Sequence, residues 1–591
     1  MAMLPNYAAT NTLPLFVLAL ASGAVADANP KAATWHDTPI GPDGPWNAVE
    51  VKLGTLGQTV ALFPGRNYQS YVITSDYCAY NASISHCGAG TYSKDEAIQK
   101  NLAGIQYKPD AQDFLAGAQV KGNKTSMFID TIDLGCEDCV IANTTLSLLE
   151  SQMIAYPGGV WYPIFAGCLS VGAEAVNQTY TQDDAPAINA SVIPWYLSRH
   201  RSTPSSSFGM HVGSAISSSA MTGSLLYGGY DRNRVVGDVL GMDGVFTDAI
   251  PLKDIGIRVV RGVSPFDFES KDGLLAGGNT SLSSGVSVRL DACSPYLTLP
   301  RSTCDSIAAN LPVHYNASLG LYLWNTEDPK YDQIVRSASA LTFTLSSANK
   351  ELTVNVPFHH LNLTLAPPLS HKPTPYFPCS TGGTGSYVLG RAFFQDAFMG
   401  ANWERKRWWL AQAPGPKFQA GSNVVSILKG DTNIYSGGSD WASSWDGVWT
   451  ELKAPGPNNS TGSNGTVSNG PGAAPPSSGL STGAKVGIGA GAGVGVVICA
   501  CAAVFLWRRK SRRARQTEVA QGQNAQNGPY PNDDVKIAGM LQPHAPAEVV
   551  GSTAKGPWDG FDFELAGDER HPGSRINRKP SPYSGELQEL P

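Results

Sequence analysis

The stretch VSVRLDACSPYLTLP, residues 286–300, decides how the chain is read. Residues 286–290 are a β-prone run that delivers one acid, Asp291, into a tight loop. The apolar run Tyr296, Leu297, Thr298 and Leu299 then leaves the loop and stops at Pro300. Two facing carboxylates that share one proton can activate water; one cannot. The reading therefore turns on whether the chain supplies a second acid.

Outward from this stretch, short strands separated by turn residues recur from Trp46 to about Ala413. Examples are 48–53, 59–63, 126–134, 224–227, 341–345, 352–356 and 408–411. Convincing amphipathic helices are few, so the predicted class is all-β, of large-barrel size. Charged residues make up 15% of the 591, and the net charge of −6 is spread along the chain. No basic face beyond one short cluster suggests nucleic acid.

The ends read differently. Residues 13–20 (LPLFVLAL) are an apolar core of a secretory signal, and Ala24-Val25-Ala26 is a small-x-small cleavage site, so 1–26 is predicted to be removed. Residues 486–507 carry no charge and as a helix would be about 33 Å long, enough to span a bilayer. Arg508, Arg509, Lys510, Arg512 and Arg513 follow, which orients the chain as type I at the plasma membrane or cell surface. Residues 455–485 are a Ser/Gly/Pro/Asn-rich stalk, and 508–591 a disordered cytoplasmic tail. Cysteines agree: Cys78, Cys87, Cys136, Cys139, Cys168, Cys293, Cys304 and Cys379 precede the span. Sequons do too, at Asn81, Asn123, Asn143, Asn177, Asn189, Asn279, Asn316 and Asn362, then Asn458, Asn459 and Asn464, with none after the span.

Several pieces, in order, resemble the pepsin-like aspartic protease family. Gly54-Thr55-Leu56-Gly57-Gln58 resembles its Gly-Thr-Pro-x-Gln turn. Residues 225–231 (LLYGGYD) resemble its turn between lobes, and 387–394 (YVLGRAFF) its late Ile-Leu-Gly-x-x-Phe segment. Asp291 matches the C-lobe acid, and 408–413 the closing strand. The look is that of fungal membrane-anchored members. The resemblance implies a bilobal double barrel over 46–415. It also implies disulfides Cys304–Cys379 and Cys78–Cys87, and a cleft lined by Pro64, Arg66, Asn67, Tyr107, Asp291, Ala292, Cys293 and Ser294. It calls for no cofactor and no metal.

Four departures stand out. The family's first Asp-Thr-Gly-Ser falls on Pro64-Gly65-Arg66-Asn67, with Tyr71 at the family's Trp. Ala292 lacks the Thr hydroxyl that braces the paired loops. Tyr107 has the spacing of the flap Tyr, but Lys108-Pro109 replaces a Gly-rich turn. Residues 27–45 hold Lys31 as their only Lys or Arg, unlike a basic pro-segment. Asp76, the nearest acid to Pro64, lies at the end of the following strand. The leading expectation is thus a catalytically silent homologue that binds a peptide or other ligand and whose tail reports inward. The alternatives are an acid endopeptidase and a wall or adhesion scaffold.

Other motifs are weaker. Trp441, Trp445 and Trp449, in the extension 416–454, would share one face of a helix, docked on the domain or meeting a partner or membrane. Cys136-x-x-Cys139 reads as structural, and its pairing with Cys168 or Cys293 stays open. Gly479-Leu480-Ser481-Thr482-Gly483 matches a nucleophile elbow only by chance, since no strand precedes it. His359-His360, with no second cluster in sequence, reads as surface.

Overall fold

The computed structural model describes residues 28–80, 87–96, 115–122, 125–182, 185–348, 350–383, 385–417 and 421–453. The signal, stalk, span and tail of the sequence reading lie outside these residues. So do Tyr107 and the sequons Asn81 and Asn123. Among the described residues, no helix is long and apolar enough to cross a membrane.

The described chain is mostly β, with short helices. Glycines at positive φ, Gly54 (69°) and Gly57 (66°), turn Val49–Leu53 back onto Gln58–Gly65, and Gly57 N–H donates to Gly54 O at 3.1 Å. Six strands then close a ring: Val140–Leu149, Ser70–Ile73, Gly167–Ser170, Gln58–Gly65, Val49–Leu53 and Ser126–Asp133, which pairs back to Val140–Leu149. Closure leaves this ring without free edges. The C-terminal half builds an eight-stranded sheet around Ser339–Ser347, Ile250–Val259, Val286–Leu290 and Tyr387–Leu389. A third sheet of six strands joins the halves. It orders Lys31–Ala32, Ser224–Tyr227, Ser207–His211, Ala397–Asn402, Arg407–Gln412 and Val236–Asp243. One apolar core runs through both halves, from Val49 and Leu62 to Leu290 and Phe393. The predicted strands at 126–134, 341–345, 352–356 and 408–411 are all present, the first one residue shorter and the others one to two residues longer at their ends.

Four strands carry the repeat that matters: β1 (Gln58–Gly65), β2 (Gly167–Ser170), β3 (Val286–Leu290) and β4 (Tyr387–Leu389). β1 runs parallel to β2, and the chain returns through Ser70–Ile73 antiparallel to β2. β3 runs parallel to β4, and the chain returns through Leu297–Thr298 antiparallel to β4. The same strand, loop, strand unit is therefore built twice around a third strand. The loops are 66–69 in one unit and 291–296 in the other.

Candidate functional site

Asp291 follows directly on β3, whose Leu290 lies opposite Leu389, and Asp291 N–H donates to Leu389 O at 3.2 Å. The residue is 1% exposed. Its carboxylate accepts from Cys293 N–H at 3.1 Å, from Ser294 Oγ at 3.2 Å and from Ala116 N–H at 3.4 Å. Burial raises its pKa, against the pull of the Arg66 cation and of these three donors.

The other unit supplies no acid. β1 ends at Pro64 and Gly65, with Pro64 opposite Leu169 and Gly65 opposite Ser170, whereas β3 ends at Leu290 and Asp291 follows it. Gly65 lies against the other loop, since a Cβ there would stand 3.1 Å from the Cβ atoms of both Cys168 and Cys293. Neither Pro64 nor Gly65 has an ionisable side chain. Arg66 Nη1 reaches Thr247 O at 3.4 Å, and its Nε is buried with no partner among the described residues. Asn67 holds β2 through its carbonyl, which accepts from Ser170 Oγ at 2.7 Å. Asp76 is exposed on the helix Ser75–Tyr80, 3.5 Å from Lys94 Nζ, so it does not reach this place.

Two features join the units beneath Asp291. Cys168, on β2, is bonded to Cys293, two residues beyond the acid, and both are 1% exposed. This bond crosses where Ala292 offers no hydroxyl. The second feature is Arg391, 4% exposed, which donates through Nη1 to Cys293 O and lies 3.6 Å over the Phe63 ring. Burial pushes its pKa down to about 10, opposed first by Asp43. The pairings open in the sequence are thereby settled, because Cys136 is bonded to Cys139 in the turn after Ser126–Asp133. Cys78 is bonded to Cys87 and Cys304 to Cys379.

Residues 115–118 lie against the loop of Asp291. Besides the Ala116 N–H bond, Ser294 Oγ donates to Ala116 O at 2.9 Å. Gly117 follows at φ 75°, where a Cβ would stand 2.8 Å from Val388 Cγ2 and 3.1 Å from Ser386 O. Nearby, the hairpin of Met153–Ala155 and Trp161–Pro163 reaches the other half, with Gly158 N–H on Ser318 O at 2.9 Å. Tyr156 OH and Tyr296 OH meet at 3.0 Å. Among the described residues, a cavity between Ala116, Tyr156, Ser294 and Tyr296 is about 30 Å³, room for a water rather than a peptide. A larger hollow of about 780 Å³ opens elsewhere, between Asp243, Lys253, Ser346 and Trp408. Gly117→Ala should destabilise the fold by about 1–2 kcal/mol, since it adds a left-handed strain and a contact. Hydrogen exchange at 115–118 should rise with it; unchanged exchange would mean that this contact does not hold the segment.

No protein-family model matches the chain, and no curated protein matches it. The solved structures similar to it include an aspartic proteinase from Irpex lacteus. The two are 14% identical, the match covers 66% of this chain and 100% of that one, and the TM-score is 0.38.

Two readings of the sequence need correction. The His359-His360 pair is not a bland surface feature: His360 is 2% exposed and its Nδ1 lies 2.8 Å from Asp396 Oδ2. Their partners come from distant segments, which sequence proximity could not reveal. The three tryptophans do not line a long helix. The helical part is the short Ala442–Trp445, and the rings pack on one another and on Val236, Ala338 and Ala340. Among the sequons, Asn143, Asn177, Asn189 and Asn279 are exposed, whereas Asn316 and Asn362 are half-buried. Among the described residues, no group of His, Cys, Asp and Glu is arranged to hold a metal.

Proposed function

We propose that this chain is a pepsin-like cell-surface protein that does not hydrolyse peptide bonds and acts by binding a peptide or protein ligand. The observation that carries this reading is the loop pair: Gly65 on one unit lies against Cys293 on the other, Arg66 bears on Asp291, and Pro64, Gly65 and Arg66 bring no carboxyl. Hydrolysis by paired carboxyls needs one ionised to take a proton from water and one protonated to polarise the carbonyl. Among the described residues, an ionised Asp291 has no acid beside it. Protonated, it has no base. Arg66 offers charge but no transferable proton at working pH. The repeated strand, loop, strand unit supports the family reading. The signal, the uncharged run 486–507 and the one-sided sequons support anchoring at the surface. A ligand would take the place of residues 115–118, whose Ala116 N–H and C=O already meet Asp291 and Ser294 as a bound peptide backbone would.

The test is proteolysis of an unfolded protein substrate between pH 3 and 6. The purified protein should cleave no faster than its Asp291→Asn variant, because losing one member of a catalytic unit removes several powers of ten in rate. Pro64→Asp should not restore turnover while residues 115–118 lie against the loop of Asp291. Cleavage by the unaltered protein that Asp291→Asn abolishes would overturn the reading and make the chain an acid endopeptidase.

A further inference from the structure

Away from the cleft, Ser219 Oγ lies 3.1 Å from His360 Nε2, and His360 Nδ1 lies 2.8 Å from Asp396 Oδ2. The order is that of a serine nucleophile, its base and an orienting acid. No acyl group can enter here, because Ser219 is 1% exposed and the Trp445 ring lies 4.6 Å from the imidazole. What the cluster does is floor the last described segment of the chain.

That segment reaches the domain through Val424–Ser426, paired with Gly229–Asp231, and through a bridge from Val236 to Gly438. Trp445 stacks on Trp449 at 5.2 Å, and Trp441 meets both edge-on. None of the three indole N–H groups has a partner among the described residues, so the rings hold by apolar contact, while backbone bonds such as Thr450 N–H to Arg336 O at 2.8 Å and Val263 N–H to Leu452 O at 2.9 Å tie the segment's end. Polar ties lie at its rim: Arg261 to Asp446 at 2.7 Å and to Glu451 at 3.7 Å, and Lys417 to Asp446 at 3.2 Å. Such partly exposed pairs contribute little each.

We propose that residues 439–453 form a clasp that stays shut over neutral His359 and is released when that imidazole takes up a proton. The His359 ring lies 6.4 Å from Trp445, and its Nε2 is 3.0 Å from Ser218 Oγ. The other groups bearing on it are His360, Arg336 and the Val335 backbone, and none of these is anionic. Asp396 is engaged one residue away by His360. Deeper in, His211 faces Arg234 at 3.3 Å and Gln395 O at 2.7 Å, and Arg234 faces Asp231 at 3.7 Å.

The direction follows from burial. His359 is pushed down to about 4, by burial first and then by the neighbouring His360 and Arg336. Free of the clasp, it would lose the burial that Trp445 adds and titrate closer to 6.5, with His360 and Arg336 still beside it. The shut state therefore binds fewer protons. Docking is full above about pH 6.5, weakens as pH falls, and levels off below about 4, a change of at most roughly 300-fold in the docking equilibrium. Residues 455–485, rich in Ser, Gly, Pro and Asn, come next in the chain, so release would lengthen a flexible connection.

Hydrogen exchange of the full-length chain in detergent micelles, at steps from pH 7.5 to 4 and corrected for intrinsic rates, tests this. Protection of 439–453 should fall by about two orders of magnitude below pH 6.5, while Ser339–Ser347 stays protected. His359→Gln, which keeps a hydrogen-bonding group toward Ser218, should abolish that dependence. Three results would overturn the clasp: constant protection of 439–453, an identical fall in His359→Gln, or simultaneous loss at Ser339–Ser347, which is global acid unfolding.

Discussion

Removing the bond between the two units, as Cys168→Ala with Cys293→Ala, should destabilise the protein by about 4 kcal/mol, the largest loss available from a pair of side chains here. The bond spans 125 residues of sequence, and closing a loop of that length removes unfolded-state entropy worth about 4–5 kcal/mol. Alanine leaves only a small void where the two sulfurs were. The double change should also act locally. Cys293 N–H is a donor to Asp291, and Cys293 O accepts from Arg391, so freeing Cys293 loosens the loop that presents the acid. Chemical denaturation checks the first effect, and exchange at residues 291–294 the second. A loss below about 1 kcal/mol would mean that the hydrophobic core alone joins the halves.

Asp43→Asn should destabilise by about 3 kcal/mol, more than Arg391→Met. Arg391 is a cation taken out of water between the halves, over Phe63 and 5.1 Å from the Trp46 ring. Asp43 is the first group opposing that burial; it also accepts from Trp46 Nε1 at 2.9 Å. Asparagine keeps the shape and the Trp46 bond but removes the largest charge opposing that burial, leaving Tyr296, Tyr376 and Asp291, and a fully uncompensated buried charge would cost about 3–5 kcal/mol. Methionine removes the charge itself and fills similar volume, which is often tolerated. Its remaining penalty is the unmet Cys293 carbonyl, about 1–3 kcal/mol. Denaturant midpoints for the two variants decide the order. Equal losses, or a larger loss for Arg391→Met, would show that Arg391 serves by its hydrogen bond and packing rather than by a balanced charge.

Local signals carried much of the architecture. β3 lies at 286–290 as the β-prone run predicts, because its residues settle their own backbone preference and the acid follows at once. The same holds for 224–227. The lack of an ionisable group at Pro64 is likewise plain from one residue. Distant pairings were beyond such signals. Tyr107 suggested a flap by spacing, whereas the described residue on the acid is Ala116, whose backbone contact no side chain advertises. His359 and His360 looked bland because Ser218, Ser219, Asp396 and Trp445 come from three other segments.

By itself, then, the sequence determined the β class, the single acid on its strand and loop, and the set of cysteines available for pairing, since each depends on residues adjacent in the chain. The tertiary structure decided that Cys168 bonds to Cys293, that the Ala116 backbone meets Asp291, and that a tryptophan segment packs on the buried His360. The physical reason is register. Parallel pairing of β1 with β2 and of β3 with β4 fixes which side chains meet at the loop ends, and those strands are brought together by a core that runs through both halves.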